Sequence, residues 1–314
     1  MKTFVAVLLT LYAAAAAAQG YPTKTVRFVS GVTPGAASDT MARILAEKLA
    51  PILGQPVIVE NRLGAGGLVG ARYVAQQAEP DGHTIMMYAS AFTVSTLLNP
   101  GLDPKELTPV ATVATIPTVL VTPPGKYKAV ADFVAAAKAQ AGKLVCADAG
   151  VGSATHMAFE RFRFAAGFEA INVHTKGPSE ALTEVLAGRA DCYFALIFQA
   201  QKLRDAGKIG ALVVSAPRRS SLMPDLPTTL EAGYSNSDYN FWVGALVAAK
   251  TPREIVERLH REIDALVKSP EISDRIRKLG ADPLSLTIAE FDAMIQRELA
   301  ENARLIKAAG ITAN

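Results

Sequence analysis

The chain has 314 residues, half of them apolar, 7% aromatic and 19% charged, with a formal net charge of +3 at pH 7. A balance this even, with its charges scattered, excludes a nucleic-acid binder, and the apolar share excludes a disordered chain. The length suits one large domain or two of medium size with ample core.

The first segment stands apart from the fold. "MKTFVAVLLTLYAAAAAAQG" carries one cation, Lys2, then an uncharged apolar run from Phe4 to Ala18. Ala16-Ala17-Ala18 ahead of Gln19 is a small-x-small cleavage site, so residues 1–18 read as a secretory signal peptide cut near Ala18/Gln19. The run is too short to span a bilayer comfortably, and no cysteine offers a lipid anchor. A periplasmic chain is expected.

Short apolar strands then alternate with helical stretches. "TVRFVSG" reads as a strand, and Met41, Ile44, Leu45, Leu49 and Ile52 share one face of a helix over 41–53. "PVIVE" is a second strand, 67–78 a second helix, and "HTIMMYAS" a third strand after the turn "PDG". This βαβαβ order predicts a parallel sheet covered on both faces. A second block opens near residue 118: "TVLVTP", "KLVCAD", "INVHT", "ADCYFAL" and "GALVVSA" are strands, with helices over 130–141, 155–166 and 179–187. "FWVGALVAA" is a further strand, and only helices follow it. Thr251 to Glu254 and Thr287 to Glu290 read as capping boxes. Terminal helices without strands must return to the first unit. The predicted organisation is a lobe of residues 19–117 plus 247–314 and an inserted lobe of 118–246, with a cleft at the hinge between them. Cys146 and Cys192 both lie in strand-like runs, either as a disulfide or as two buried thiols.

Most motifs with a chemical reading fall to a plainer one. "RLGAGGLVG" gives GxGxxxG after the wrong strand, with no acidic residue placed for a ribose, and reads as a tight strand–helix packing. "GVGSATH" is not GxSxG, and Ser153 is expected to cap the helix that carries His156. The four histidines show no metal-ligand spacing, and neither cysteine has a C-x-x-C partner. No metal and no cofactor is expected.

The turn "SGVTPGAASDTMAR" is different. Pro34-Gly35 makes the turn, Ala36 and Ala37 keep its surface small, and Ser38 or Asp39 is expected to cap the helix. In an α/β lobe this loop lies at the carboxyl end of the first strand, where ligands bind. A helix start there offers unpaired amides and partial positive charge to a carboxylate. "ADAGVGSATH" has the same form in the second unit, with Ser153 or Thr155 at the helix start. Two such starts facing across a hinged cleft could hold one anion between them.

The segment from "YPTKTVRFVSG" through "VENRLGAGG" and "PDGHT", with "GVGSATHMAFERF", "HTKGPSEALTEVLAGRADCYF", "PDLPTTLEAGY" and "FWVGALVAAKTP", resembles the extracytoplasmic solute receptors of the tripartite tricarboxylate transporter system, the Bug receptors. The resemblance runs from Tyr21 almost to the C-terminus. It implies a type II-like, two-lobed periplasmic binding protein, each lobe a mainly parallel sheet flanked by helices, with the ligand cleft between them. It implies a monomer without enzymatic activity that delivers a small carboxylate to membrane permease subunits. Pro34, Gly35, Ala36, Ala37, Ser38 and Asp39 would grip the ligand from one lobe, and Gly152, Ser153, Ala154 and Thr155 from the other. Ser90 matches a pocket-lining position, and His174, Thr175 and Asp191 are carried over as further contacts. The first loop of such receptors is usually richer in glycine; here Ala36 and Ala37 narrow it. His174-Thr175 stands where the family often has Pro-Tyr, so His174 either adds a polar contact or ends a strand in solvent. A receptor that signals to a membrane sensor, or a secreted hydrolase using Ser153 and His156, are the alternatives.

Overall fold

In the computed structural model, residues 20–140, 142–239 and 241–312 are described; the signal segment and cleavage site expected from the sequence lie outside them. Eleven strands run among the described residues: β1 (Val26–Ser30), β2 (Val57–Asn61), β3 (Thr84–Ala89), β4 (Leu107–Thr115), β5 (Thr118–Thr122), β6 (Val145–Asp148), β7 (Ile171–His174), β8 (Cys192–Leu196), β9 (Gly210–Ser215), β10 (Trp242–Ala248) and β11 (Asp282–Pro283). The α-helices are α1 (Ala37–Leu53), α2 (Leu68–Arg72), α3 (Ala91–Leu98), α4 (Val130–Ala139), α5 (Ala154–Ala166), α6 (Pro178–Leu186), α7 (Ile197–Asp205), α8 (Arg253–Lys268), α9 (Pro270–Lys278) and α10 (Ile288–Ala309).

The strands form two sheets, ordered β11-β4-β10-β3-β1-β2 and β7-β6-β8-β5-β9. The chain crosses from one to the other between β4 and β5 and returns between β9 and β10. The boundary expected at 246/247 falls inside β10, because the chain has already joined the first sheet at Trp242. Neither sheet is mainly parallel as expected; both are mixed. β2 and β3 flank β1 in parallel, while β10 lies antiparallel between β3 and β4. In the second sheet β7 and β8 flank β6 in parallel, while β5 is antiparallel to β8 and β9. β4 runs in the same direction as β1 and β3; the reversed strands are β10 and the short β11 in the first sheet and β5 in the second, and β5 and β10 are the strands that follow the two crossings.

Both faces of each sheet are covered. Val256, Leu259, Ile263 and Val267 of α8 join Phe28, Met41, Leu45 and Val243 in one core on the first sheet. Phe291, Met294 and Ile295 of α10 close its other face with Trp242 and Phe92. Farther along the same helix, Leu305 packs into the core of the second sheet beside Phe159 and Phe162. α10 therefore ties the two lobes together. Its capping box, Thr287 with Glu290, forms as expected. At α8 the expected box does not form: Pro252 occupies the cap position and supplies no side-chain acceptor. Cys146 and Cys192 are register partners on β6 and β8 with Cα atoms 4.6 Å apart, and they form a disulfide.

Candidate functional site

The carboxyl ends of β1 and β3 point toward the carboxyl ends of β6 and β7, and the expected loops sit there. The first loop rests on backbone. A Cβ at Gly31 would lie 2.4 Å from Gly67 Cα, and one at Gly67, where φ is +97°, would lie 2.3 Å from the Tyr88 ring. The glycines of "RLGAGGLVG" are thus packing glycines, as read from the sequence.

α1 begins at Ala37, earlier than expected, and neither Ser38 nor Asp39 caps it. Ala36 holds the cap position with no side-chain hydrogen bond. Asp39 is fully buried in the first turn and works backwards. Its Oδ2 accepts the Gly35 amide at 2.8 Å and Arg43 Nε at 2.9 Å, and its Oδ1 accepts Arg43 Nη2 at 3.0 Å and Asn61 Nδ2 at 2.8 Å. Burial disfavours its ionised form, but the bonds from Arg43, Gly35 and Asn61 outweigh that and hold its carboxyl below the usual range. The first helical bond runs from Thr40 N to Ala36 O. The amides of Ala37, Ser38 and Asp39 are therefore the orphan donors of the helix start, beside the exposed Pro34 and Gly35.

The second loop is held by side chains. Asp148, buried at the end of β6, accepts the Gly150 amide at 2.8 Å through Oδ1, and its Oδ2 lies 2.8 Å from His174 Nδ1. Thr155 Oγ1 accepts the Ala149 amide at 2.9 Å, and His156 Nδ1 accepts the Gly152 amide at 3.0 Å. Ser153 caps α5 as expected, its Oγ accepting His156 N at 3.2 Å. Thr175 Oγ1 donates to the Asp148 carbonyl at 2.8 Å. Burial pushes the His156 imidazole below its ordinary pKa, and His174 and Arg163 add to this against the pull of Asp148 and Glu160. His156 is therefore neutral at pH 7.

The two loops meet through α3. A Cβ at Gly152, where φ is +73°, would lie 3.2 Å from Val94 Cγ1, so only glycine lets this loop reach the first lobe. Ser90 is buried at the end of β3 with its hydroxyl 3.1 Å from Tyr239 OH. Behind it, Asn302 of α10 donates to Thr93 Oγ1 at 2.8 Å and accepts from Arg161 of α5 at 2.9 Å. Residues 34–39, Ser90, 152–155, His174 and Thr175 thus lie at the facing ends of the two sheets. Asp191 does not. It precedes β8, which runs parallel to β6, so it sits beside the start of β6. There its Oδ2 accepts Val145 N at 2.8 Å, and it pairs with Lys126. Asp148, Arg43, Asn61 and Tyr239 were missed as site residues. Of these only Asp148 had a local signal, as the last strand residue before a small-residue loop.

A family model described as the tripartite tricarboxylate transporter family receptor matches residues 41–311. The chain belongs to this family. BugT of Bordetella pertussis is 30% identical over 304 residues, covering 95% of this chain and 93% of BugT. Among solved structures, R. palustris Rpa4515 with adipate is 28% identical with a TM-score of 0.77, covering 93% of this chain and 99% of that one. MatC from Rhodopseudomonas palustris with bound malate is 28% identical with a TM-score of 0.72, covering 91% of this chain and 100% of MatC. A Bug-family receptor is a solute-binding protein of two-lobed periplasmic fold, not an enzyme. The hydrolase alternative fails on geometry too. Ser153 Oγ accepts the His156 backbone amide and lies 3.1 Å from Thr155 Oγ1, while His156 Nδ1 accepts the Gly152 amide, so the two side chains are engaged with other partners rather than paired as nucleophile and base.

Proposed function

We propose that this receptor captures a small carboxylate between the two loops in the periplasm and, as a monomer, delivers it to a membrane permease. The observation that carries the reading is the start of α1. Three orphan amides face the cleft end of the lobe, and the one buried acid beside them is already neutralised by Arg43. A ligand carboxylate there meets donors without meeting a net negative charge. Ala154 and Thr155 supply the matching amides at the start of α5, and closure of the lobes brings both sets to one ligand. The printed ligands of two relatives, adipate and malate, are carboxylates of the size this reading requires.

Thermal and urea unfolding of the mature chain with a panel of mono- and dicarboxylates tests it. A ligand at a hundredfold its Kd adds about 2.7 kcal/mol. A panel in which no organic acid stabilises the protein overturns the reading.

A further inference from the structure

We propose that Asp148, His156 and His174 form a binding site for a divalent transition-metal ion of the Zn2+ or Ni2+ class. One nitrogen from each ring and one Asp148 oxygen lie within 4.8 Å of one another. Their placement follows from the fold. Asp148 and His174 are register partners at the ends of parallel strands β6 and β7, and His156 stands in the first turn of the helix that β6 feeds. The two rings meet edge-on, with centroids 5.0 Å apart. An ion about 2.1 Å from each donor needs ligand atoms roughly 3.4 Å apart in a tetrahedral site, so the side chains have an ångström or so to close. Asp148 and His156 are buried, while the His174 side chain is 41% exposed and held on one side by Asp148, so it is the member with room to make that movement.

The donor set chooses the metal. Two imidazoles and one carboxylate suit Zn2+, Ni2+ or Cu2+, whereas Mg2+ and Ca2+ demand oxygen ligands. Three protein donors also leave a coordination position open. His156 and His174 line a groove of about 370 Å³ together with Val151, Glu160, Arg163, Asn172 and residues 309–312, and that groove gives access to the cluster. In the metal-free form Gly152 N–H occupies His156 Nδ1, so that ring carries its proton on Nε2. Ligation through Nδ1 takes the lone pair that Gly152 uses. Ligation through Nε2 moves the proton to Nδ1, which then cannot accept. Either way metal uptake releases the Gly152 amide, within the loop that reaches α3. The site shares His174 and the Gly152 loop with the proposed carboxylate cleft, but its donor set is observed apart from that reading and its test uses metal ions alone.

The test is calorimetry on the mature chain, purified without a histidine tag and stripped with EDTA, titrated with Zn2+ and separately with Mg2+. The expected result is one equivalent of Zn2+ bound, no response to Mg2+, and Zn2+ affinity at least about tenfold weaker in His174→Ala and Asp148→Asn. His260→Ala, remote from the cluster, keeps the wild-type affinity. In amide NMR spectra the Gly152 resonance moves with Zn2+ in the wild type and stays in His174→Ala. Absence of a stoichiometric Zn2+ event, or His174→Ala binding Zn2+ as tightly as the wild type, overturns the site. His174→Ala decides the matter even if Asp148→Asn fails to fold, since the His174 side chain is 41% exposed and lies at the surface end of the cluster.

Discussion

The starts of α1 and α5 have nearly the same backbone and opposite chemistry. Ala36 has φ −69° and ψ 164°, and Ser153 has φ −65° and ψ 160°. Ser153 spends its hydroxyl on the amide three residues ahead; Ala36 has nothing to offer. α1 therefore keeps three orphan amides and α5 keeps two. The loop before α1 is held by glycine backbones in contact and by a buried acid reaching back from the helix. The loop before α5 is stitched by Asp148, Thr155 and His156 through side-chain bonds to its own amides. Backbone conformation thus makes both places able to hold an anion, while the side chains decide how many donors remain for one. On the proposed reading the first lobe is the principal anion grip and the second a stiffer wall.

The largest test of that contrast is glycine replacement. Gly67→Ala places a methyl on the Tyr88 ring and strains a positive φ, and it should lower stability by about 3 kcal/mol or more in urea unfolding. Gly150→Ala, its counterpart in the second loop, also strains a positive φ, but its new Cβ would be 3.4 Å from the nearest atom. It should lose only about 1–2 kcal/mol. Equal losses would mean that the two loops are held in the same way.

Next is the helix that the lobes share. Glu298 of α10 is fully buried and accepts the Trp242 indole N–H at 3.0 Å. Burial pushes its carboxyl up from 4.5 to about 7, against the pull of Trp242, Arg161 and Arg297. Between those values the folded chain holds a proton that the unfolded chain has lost, so stability falls as pH rises, by roughly 1.4 kcal/mol per unit. Glu298→Gln should remove that slope and be more stable than the wild type above pH 7 by up to about 3 kcal/mol, while near pH 4.5 the two converge. Urea unfolding at pH 5 and pH 8 checks this, and an unchanged pH slope would break it.

Asp39→Asn comes next, at about 2 kcal/mol, because it strips the charge that faces Arg43 from inside the protein. The Asp39 carboxyl is held low when folded, so its contribution is full at neutral pH and fades as pH falls through that lowered value. The gap between wild type and variant in urea unfolding should therefore narrow in acid. A gap that persists in acid would assign the loss to packing instead.

The sequence carried these loops well and the sheets less well. Strands buried on both faces, such as Val26–Ser30 and Cys192–Leu196, announce themselves as apolar runs. β4 did not, although it is nine residues long. Pro109 cannot donate to a ladder, and the strand tolerates it where its pairing with β10 shifts register beside Leu246. Without β4 the strand that β10 and β11 pair with in the first sheet was out of sight. α3 was hidden by its hydroxyl side chains, which favour turns in isolation. Here Thr93 and Thr96 bond back to the carbonyls of Ser90 and Phe92. The Asp148–His156–His174 cluster had no legible spacing because its members come from two strands and a helix. Asp191 came from the resemblance alone: β8 runs parallel to β6, as the alternation of strands and helices predicts, and that direction puts a residue ahead of "CYF" at the end away from the cleft.

The smallest effect separates the two helix starts most cleanly. Ala36→Ser installs on α1 the cap that Ser153 already gives α5, on a backbone that fits it within a few degrees. It should add about 0.5–1 kcal/mol of stability, and Ser153→Ala should remove about 1 kcal/mol. For most proteins a better cap is harmless. Here the new hydroxyl occupies an amide that the ligand carboxylate is proposed to use, so Ala36→Ser should be more stable and bind more weakly, by roughly tenfold if one hydrogen bond to a charged group is lost. Ser153→Ala frees the His156 amide instead and should bind no more weakly than its loss of loop rigidity requires. Unfolding and calorimetry on the same samples read both quantities. If Ala36→Ser gained stability with its affinity intact, the first turn of α1 would be an ordinary helix start and the grip would have to lie elsewhere in the cleft.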